Sequence, residues 1–166
     1  MDLGDVMWGW PWEAECLDLI RDRADVRVRG NADREAGLAG PHAALVEDVL
    51  FVHATPFDDT TCVSKLTTPE RLGEVLDGVD ASLVVGGHVH HQFAFPRWVN
   101  AGSVGLPFEG KPGAFWLALV DGVPDFRCTP YDLSELPKDS EHMQAVLGEI
   151  TADEAAREFE EREAGE

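Results

Sequence analysis

The alternation of apolar and polar positions divides the chain into short strand-like runs, two helical stretches and a charged tail. Residues 49–53 (VLFVH) and 82–85 (SLVV) are compact apolar runs of the length that suits buried strands. Residues 26–31 (VRVRGN) alternate like a half-buried strand and stop at Gly30-Asn31, and residues 1–5 form a stub that ends in Gly4-Asp5. Between these, Glu13–Arg23 carries Cys16, Leu17 and Ile20, followed by Ala24, at a helical spacing that would cover a sheet. Thr68-Pro69-Glu70 reads as a second helix start, with Thr68 as the N-cap and Pro69 in the first turn. That helix runs through Leu72, Val75 and Leu76 to a stop near Gly78, so with the strand from Ser82 it makes an αβ unit. Downstream, residues 92–100, 114–120 and 124–129 are further apolar segments, with a hairpin turn at Asp121-Gly122. From Leu136 the chain has helical propensity but ends in EFEEREAGE, a charge run expected to be a solvated or frayed helix. The organisation this predicts is a core over residues 1–135 and an acidic helical tail over 136–166.

The ends of the strand-like runs carry the chemistry. Each of the four N-terminal runs stops at Asp, Asn or His, usually just after a glycine, and Gly86-Gly87 leads into His88, His90 and His91 within four residues. Glycines at such a turn let backbone approach a ligand. In open α/β sheets, ligands bind outside the carboxyl ends of the strands. Asp5, Asn31, His53, His88 and His90 are therefore expected to converge although they are scattered in sequence. Neutral imidazole is the commonest metal ligand, and a mixed nitrogen and oxygen set suits Zn, Mn, Fe or Ni better than Ca or Mg.

The order Gly4-Asp5, Gly30-Asn31-Ala32-Asp33, His53-Ala54-Thr55-Pro56 and Gly87-His88-Val89-His90 resembles the calcineurin-like metallophosphoesterases, and within them the bacterial small phosphodiesterase-like branch. The stretch Asn100-Ala101-Gly102-Ser103-Val104-Gly105 also resembles that family's segment after the histidine motif, and the likeness spans roughly residues 3–132. It implies an α/β/β/α sandwich and hydrolysis of phosphomonoesters or phosphodiesters of small molecules at a dinuclear centre of divalent transition metals. It also implies a role for each residue. Asp5 would bridge two metals, Asn31, His53 and His88 would complete the second site, His90 would serve the first, and Asp33 would be catalytic. Two metals about 3.5–4 Å apart clamp a phosphate and activate the attacking water.

Three departures from the family pattern modify these expectations. The family normally opens with a strand ending in Asp-x-His, whereas only Met1, Asp2, Leu3 and Gly4 precede Asp5 here. Either an N-terminal segment is missing or the member is degenerate, and the stub before Asp5 favours the former. As given, the first site keeps Asp5 and His90 alone, so about one tightly bound metal and weak hydrolysis are expected. The longer helical insertion that the family often places between Asn31 and His53 is replaced by a Gly/Ala-rich connector around residues 37–44. Finally, the family's common GNHD is GNAD, and Ala32 cannot protonate a leaving group, which should penalise poor leaving groups most. A non-catalytic binder of one metal or of a phosphorylated ligand is the alternative from a different functional class.

Composition narrows the picture only a little. A chain of 166 residues is about one domain with a real core, and no apolar run approaches the roughly 18 residues of a membrane span. Cys16, Cys62 and Cys128 are widely spaced and odd in number, which reads as reduced thiols in a cytoplasmic protein. A formal net charge of -19 argues against tightly held nucleic acid, because phosphate backbones demand Lys and Arg. It leaves room for a small phosphorylated substrate bound at a metal. Trp8, Trp10 and Trp12 could wall a nucleoside base, but packing in the core or a loop is preferred. His42 and His142 read as surface residues, and His91 as pointing away from the metals. Ser103 lacks the glycine before it that a nucleophile elbow needs, so Ser103 and Asn100 are expected to shape the loop beside the metals.

Overall fold

The architecture is that of a computed structural model describing residues 1–7, 12–134 and 147–165. Trp8, Trp10, His142 and the stretch 136–146 of the expected tail lie outside the described residues. The chain divides into two compact units, one formed by Met1–Val63 with Thr68–His88 and the other by Ser64–Thr67 with Val89–Glu166.

The first unit contains α1 (Glu13–Arg23), α2 (Asn31–Glu35), β1 (Ala43–Val46), β2 (Val49–Val52), α3 (Pro69–Val75) and β3 (Leu83–Gly86). β1 and β2 form an antiparallel hairpin closed at Val46 opposite Val49, with Glu47 in the left-handed region at the turn. β2 and β3 run parallel, with Val49 opposite Leu83, Leu50 opposite Val84 and Phe51 opposite Val85. Parallel neighbours need a crossover connection, and α3 lies in it, started as expected by Thr68 Oγ1 accepting from Arg71 N at 3.2 Å. Val52 and Val84 are fully buried, and Leu72, Val75 and Leu76 join them in the core. Carrying the β2–β3 register forward two residues sets His53 level with Gly87, whose N–H donates to the His53 carbonyl at 2.8 Å. The two histidine-bearing loops thus leave the sheet at the same height.

The alternating run 26–31 does not form a regular strand. It makes a single parallel bridge, Asp2 with Arg27. β1 and α2 carry no strong pattern in the sequence, and both fill the connector between Asn31 and His53.

The second unit contains β4 (Gln92–Phe95), β5 (Trp98–Ala101), β6 (Ala114–Val120), β7 (Val123–Thr129) and α4 (Ala152–Gly165). The apolar segment 92–100 resolves into the β4–β5 hairpin, turning at Pro96 and a left-handed Arg97. β6 and β7 turn at Asp121-Gly122, both with positive φ, as a two-residue type I′ hairpin requires. The expectation of a solvated terminal helix needs correction. Ala155 and Ala156 of α4 are buried, and Glu160 accepts from Ser64 Oγ at 2.7 Å and Thr67 Oγ1 at 3.1 Å. Asp153 pairs with Lys65. The charge run hides a small-residue stripe and one acidic residue with dedicated donors, so α4 is docked within its unit.

Candidate metal centre

The site begins where two glycine turns meet. Gly4 has φ +93°, and a side chain on it would strike the Gly30 backbone, 2.8 Å from Gly30 Cα. A Cβ on Gly30 would collide with the Asp5 carboxylate and lie 2.6 Å from Asp5 N. Glycine at both positions therefore lets Asp5 sit against the start of α2, where its Oδ1 accepts from Ala32 N at 2.9 Å. Asp33 fastens this arrangement. Its carboxylate accepts from the N–H groups of Asp5 at 2.9 Å, Val6 at 2.9 Å, Met7 at 3.0 Å and Gly30 at 3.1 Å. Asp33 is fully buried. Both oxygens are engaged by backbone donors, so the residue holds the Asp5 loop, and a catalytic role for Asp33 rests on the sequence resemblance alone.

Around His53 the ligand atoms converge. Its Nε2 lies 3.2 Å from Asp5 Oδ2, 3.1 Å from Asn31 Oδ1 and 3.1 Å from His88 Nδ1. Asp5, His53 and His88 each present a ligand atom, all within 4.8 Å of one another. The opposite ring nitrogens fix the tautomers. His53 Nδ1 is 2.7 Å from the Leu3 carbonyl and His88 Nε2 is 3.1 Å from the Thr60 carbonyl. Carbonyls only accept, so these nitrogens carry hydrogen, and in the neutral rings His53 Nε2 and His88 Nδ1 face each other as lone pairs. Metal-ligating histidines characteristically give their other N–H to such a partner.

The electrostatics call for a cation at this point. Asp5 Oδ2 is buried and accepts no hydrogen bond while the His53 ring is neutral, and three further acceptor atoms surround the same spot. Without a metal, a proton must serve. Burial opposes charging His53, but the hydrogen bond and charge of Asp5 outweigh it and raise the His53 pKa above its ordinary 6.5. Burial likewise opposes ionising Asp5, and the contact with His53 outweighs it, so the carboxyl falls below its ordinary 3.8. A two-nitrogen, two-oxygen donor set with a buried carboxylate fits a divalent transition metal.

Backbone strain marks the same residues. Six non-glycine residues among those described have positive φ. Glu47, Arg97 and Asp121 sit at hairpin turns, and the others are Asp5 (φ 59°), His88 (φ 65°) and His90 (φ 60°). Left-handed non-glycine residues cost energy and cluster at functional sites.

Asp5, Asn31, His53 and His88 are thus brought together within the first unit. His90 belongs to the second, where its Nδ1 donates to the Leu106 carbonyl at 2.8 Å and its ring stacks on Phe108 with centroids 5.1 Å apart. His91 is fully buried, and burial pushes its pKa down to about 4. Its Nδ1 donates to the Val89 carbonyl at 2.7 Å, so it is a neutral structural ring. Asn100 Oδ1 accepts from Gly102 N and Ser103 Oγ from Leu106 N, so both side chains hold their own loop in the second unit. His42 is half-buried and bonds the Pro56 carbonyl at 3.1 Å, and Trp12 is exposed. The orienting carbonyls of Leu3 and Thr60 carry no sequence signature, since any residue supplies one. The anchoring function of Asp33 was visible only as its place in the GNAD run.

No family model matches the chain, and no curated protein matches its sequence. Solved structures do. The chain superposes on a metallophosphoesterase from Sphaerobacter thermophilus with a TM-score of 0.72 at 18% identity, covering 88% of this chain and 86% of that one. It superposes on the hypothetical protein PH1004 from Pyrococcus horikoshii OT3 with a TM-score of 0.67 at 13% identity, covering 87% and 82%. At such identities the likeness is one of fold. The chain has the mixed α/β fold of a metallophosphoesterase. Among the described residues no helix is long and apolar enough to cross a membrane.

Proposed function

We propose that this protein is a metal-dependent phosphoesterase acting on a small phosphomonoester or phosphodiester, in the cytoplasm and without tightly held nucleic acid. The observation that carries the reading is the meeting of Asp5 Oδ2, Asn31 Oδ1 and His88 Nδ1 around His53 Nε2 at 3.1 to 3.2 Å. These four residues would hold one divalent metal, with Mn, Zn, Fe and Ni the fitting ions. His90 is added on the strength of the sequence resemblance, as is a bridging role for Asp5 toward a second metal. A metal bound there supplies Lewis acidity toward a phosphoryl oxygen and acidifies a water. The protein's own part is positional: Leu3 and Thr60 aim the two rings, Asp33 holds the Asp5 loop, and the glycines admit the carboxylate.

A second reading, a binder that does not turn its ligand over, is favoured by one observation. At the loop position where the resemblance would place a proton-donating histidine stands Ala32, which offers only its backbone N–H, already given to Asp5. Metal content and turnover of aryl phosphomonoesters and phosphodiesters with added manganese, for the natural chain and His53→Ala, separate the two. Metal-dependent turnover lost in His53→Ala is the expected result. Bound metal with no turnover would favour the binder, and absence of bound metal would overturn the phosphoesterase and the metal binder alike.

A further inference from the structure

We propose that Asp58 is a positioning residue for the metal centre, holding the turn 55–61 so that the Thr60 carbonyl keeps His88 aimed through Nδ1. This inference rests on the reading of His53 and His88 as metal ligands. The turn begins two residues after His53, at the buried Thr55, and it closes on itself. Thr55 N donates to the Asp58 carbonyl at 3.1 Å, and Asp58 N donates back to Thr55 Oγ1 at 3.2 Å. The Asp58 carboxylate then gathers the far side. Its Oδ1 accepts from Thr60 N at 2.8 Å and Thr61 N at 2.6 Å, and its Oδ2 accepts from Thr61 Oγ1 at 2.7 Å and Thr55 Oγ1 at 3.2 Å.

Thr60 is the residue whose carbonyl receives the His88 Nε2–H, 3.1 Å away. That carbonyl shares a peptide plane with Thr61 N, which donates to Asp58 Oδ1 at 2.6 Å, so its direction is set by a side chain that touches no ligand atom. The next residue extends the brace. Asp59 accepts from Arg34 Nε at 2.8 Å and Arg29 Nη2 at 3.4 Å. Arg34 lies on α2, whose first residue is Asn31. Two ligands from distant parts of the sequence, Asn31 and His88, are thereby tied through one turn. Removing the Asp58 carboxylate would take an acceptor from two amides and three threonine hydroxyls at once, and the carbonyl that selects the His88 tautomer would lose its anchor.

The test is metal affinity, measured by chelator competition on the intact chain with zinc or manganese. Asp58→Ala should weaken binding up to about 10-fold, the low end of what losing a direct partner of a ligating histidine costs, because Asp58 acts through the Thr60 carbonyl. Asp58→Asn should recover most of it, because its Oδ1 still accepts the Thr60 and Thr61 amides while its Nδ2 can donate to the threonine hydroxyls. Thr68→Ala removes the α3 cap in the same unit and serves as the control for plain loss of stability. It should leave affinity unchanged. Natural affinity in Asp58→Ala, an equal loss in Thr68→Ala, or no recovery in Asp58→Asn would each overturn the inference while leaving the metal centre standing. If the natural chain binds neither metal, the metal-centre reading fails first and this inference falls with it.

Discussion

His53 Nε2 and His88 Nδ1 stand 3.1 Å apart with no hydrogen between them in the neutral rings, because each ring gives its other N–H to a main-chain carbonyl. Two lone pairs at that distance repel unless a cation lies with them, and Asp5 Oδ2 and Asn31 Oδ1 turn toward the same point. The parallel register of β2 and β3 is the origin of the arrangement, since it ends both strands at one level.

Metal binding should stabilise the protein measurably. A ligand present at a hundredfold over its dissociation constant adds about 2.7 kcal/mol, which for a chain of this size is roughly 5–10 °C in Tm. Differential scanning calorimetry with zinc or manganese, against the same protein with chelator, should show that shift. His53→Ala should abolish it. A shift that survives His53→Ala would place the metal elsewhere.

Gly30 and Gly73 make opposite predictions for the same substitution. In Gly30→Ala the new methyl collides with the Asp5 carboxylate and backbone, so metal binding should be lost and about 1–3 kcal/mol of stability with it. Gly73 lies within α3 with nothing near a built Cβ. Gly73→Ala should therefore stabilise by about 0.5–1 kcal/mol and leave metal binding alone. Urea unfolding of both variants checks the pair, and tolerance of Gly30→Ala would contradict the packing described for Asp5.

The residues that meet at the candidate metal site were legible in the sequence because strand ends and glycine turns leave a local signature. VLFVH and SLVVGGHVHH announce both the strands and the histidines that follow them, and the Thr68-Pro69 cap announces α3. What supports the ligands was not legible. The carbonyls of Leu3 and Thr60 are anonymous in sequence, and the four amides on Asp33 come from segments more than twenty residues away as well as from its own turn. β1 escaped notice because its alanines are weak strand formers and its turn uses a left-handed Glu47 in place of glycine or asparagine. α4 was legible as a helix, but its docking was not, because its buried alanines are swamped by charge.

Glu160 gives a stability prediction for α4. Ser64 is fully buried and Thr67 nearly so, and the carboxylate accepts from both. Glu160→Ala would leave two buried hydroxyls without that acceptor and should cost about 1–3 kcal/mol. Arg162, paired with Glu158 on the exposed side of the helix, is the contrast, and Arg162→Ala should cost no more than about 0.5 kcal/mol. Equal losses from the two in chemical denaturation would mean that the helix is held by something other than the Glu160 contact.

The coupling of Asp5 and His53 predicts how pH separates the metal-free from the metal-loaded protein. The Asp5 pKa is lowered in the fold, so its contribution is present above the ordinary 3.8 and is lost as pH falls through the lowered value. The His53 pKa is raised, so its contribution is full below the ordinary 6.5 and is lost as pH rises through the raised value. Between 3.8 and 6.5 both groups are charged, and the metal-free protein draws its full benefit from the pair. A metal requires the deprotonated ring, so its affinity should climb with pH and level off only above the raised His53 value. The two trends oppose each other. The Tm difference between loaded and metal-free protein should therefore widen as pH rises past 6.5, with part of the widening coming from a falling metal-free Tm. Asp5→Asn removes the negative partner, and with it the elevation of the His53 pKa, so the metal-free decline above 6.5 should disappear. Thermal melts across this range, with and without zinc, decide the matter: a Tm difference that does not change with pH would mean that His53 is not where proton and metal compete.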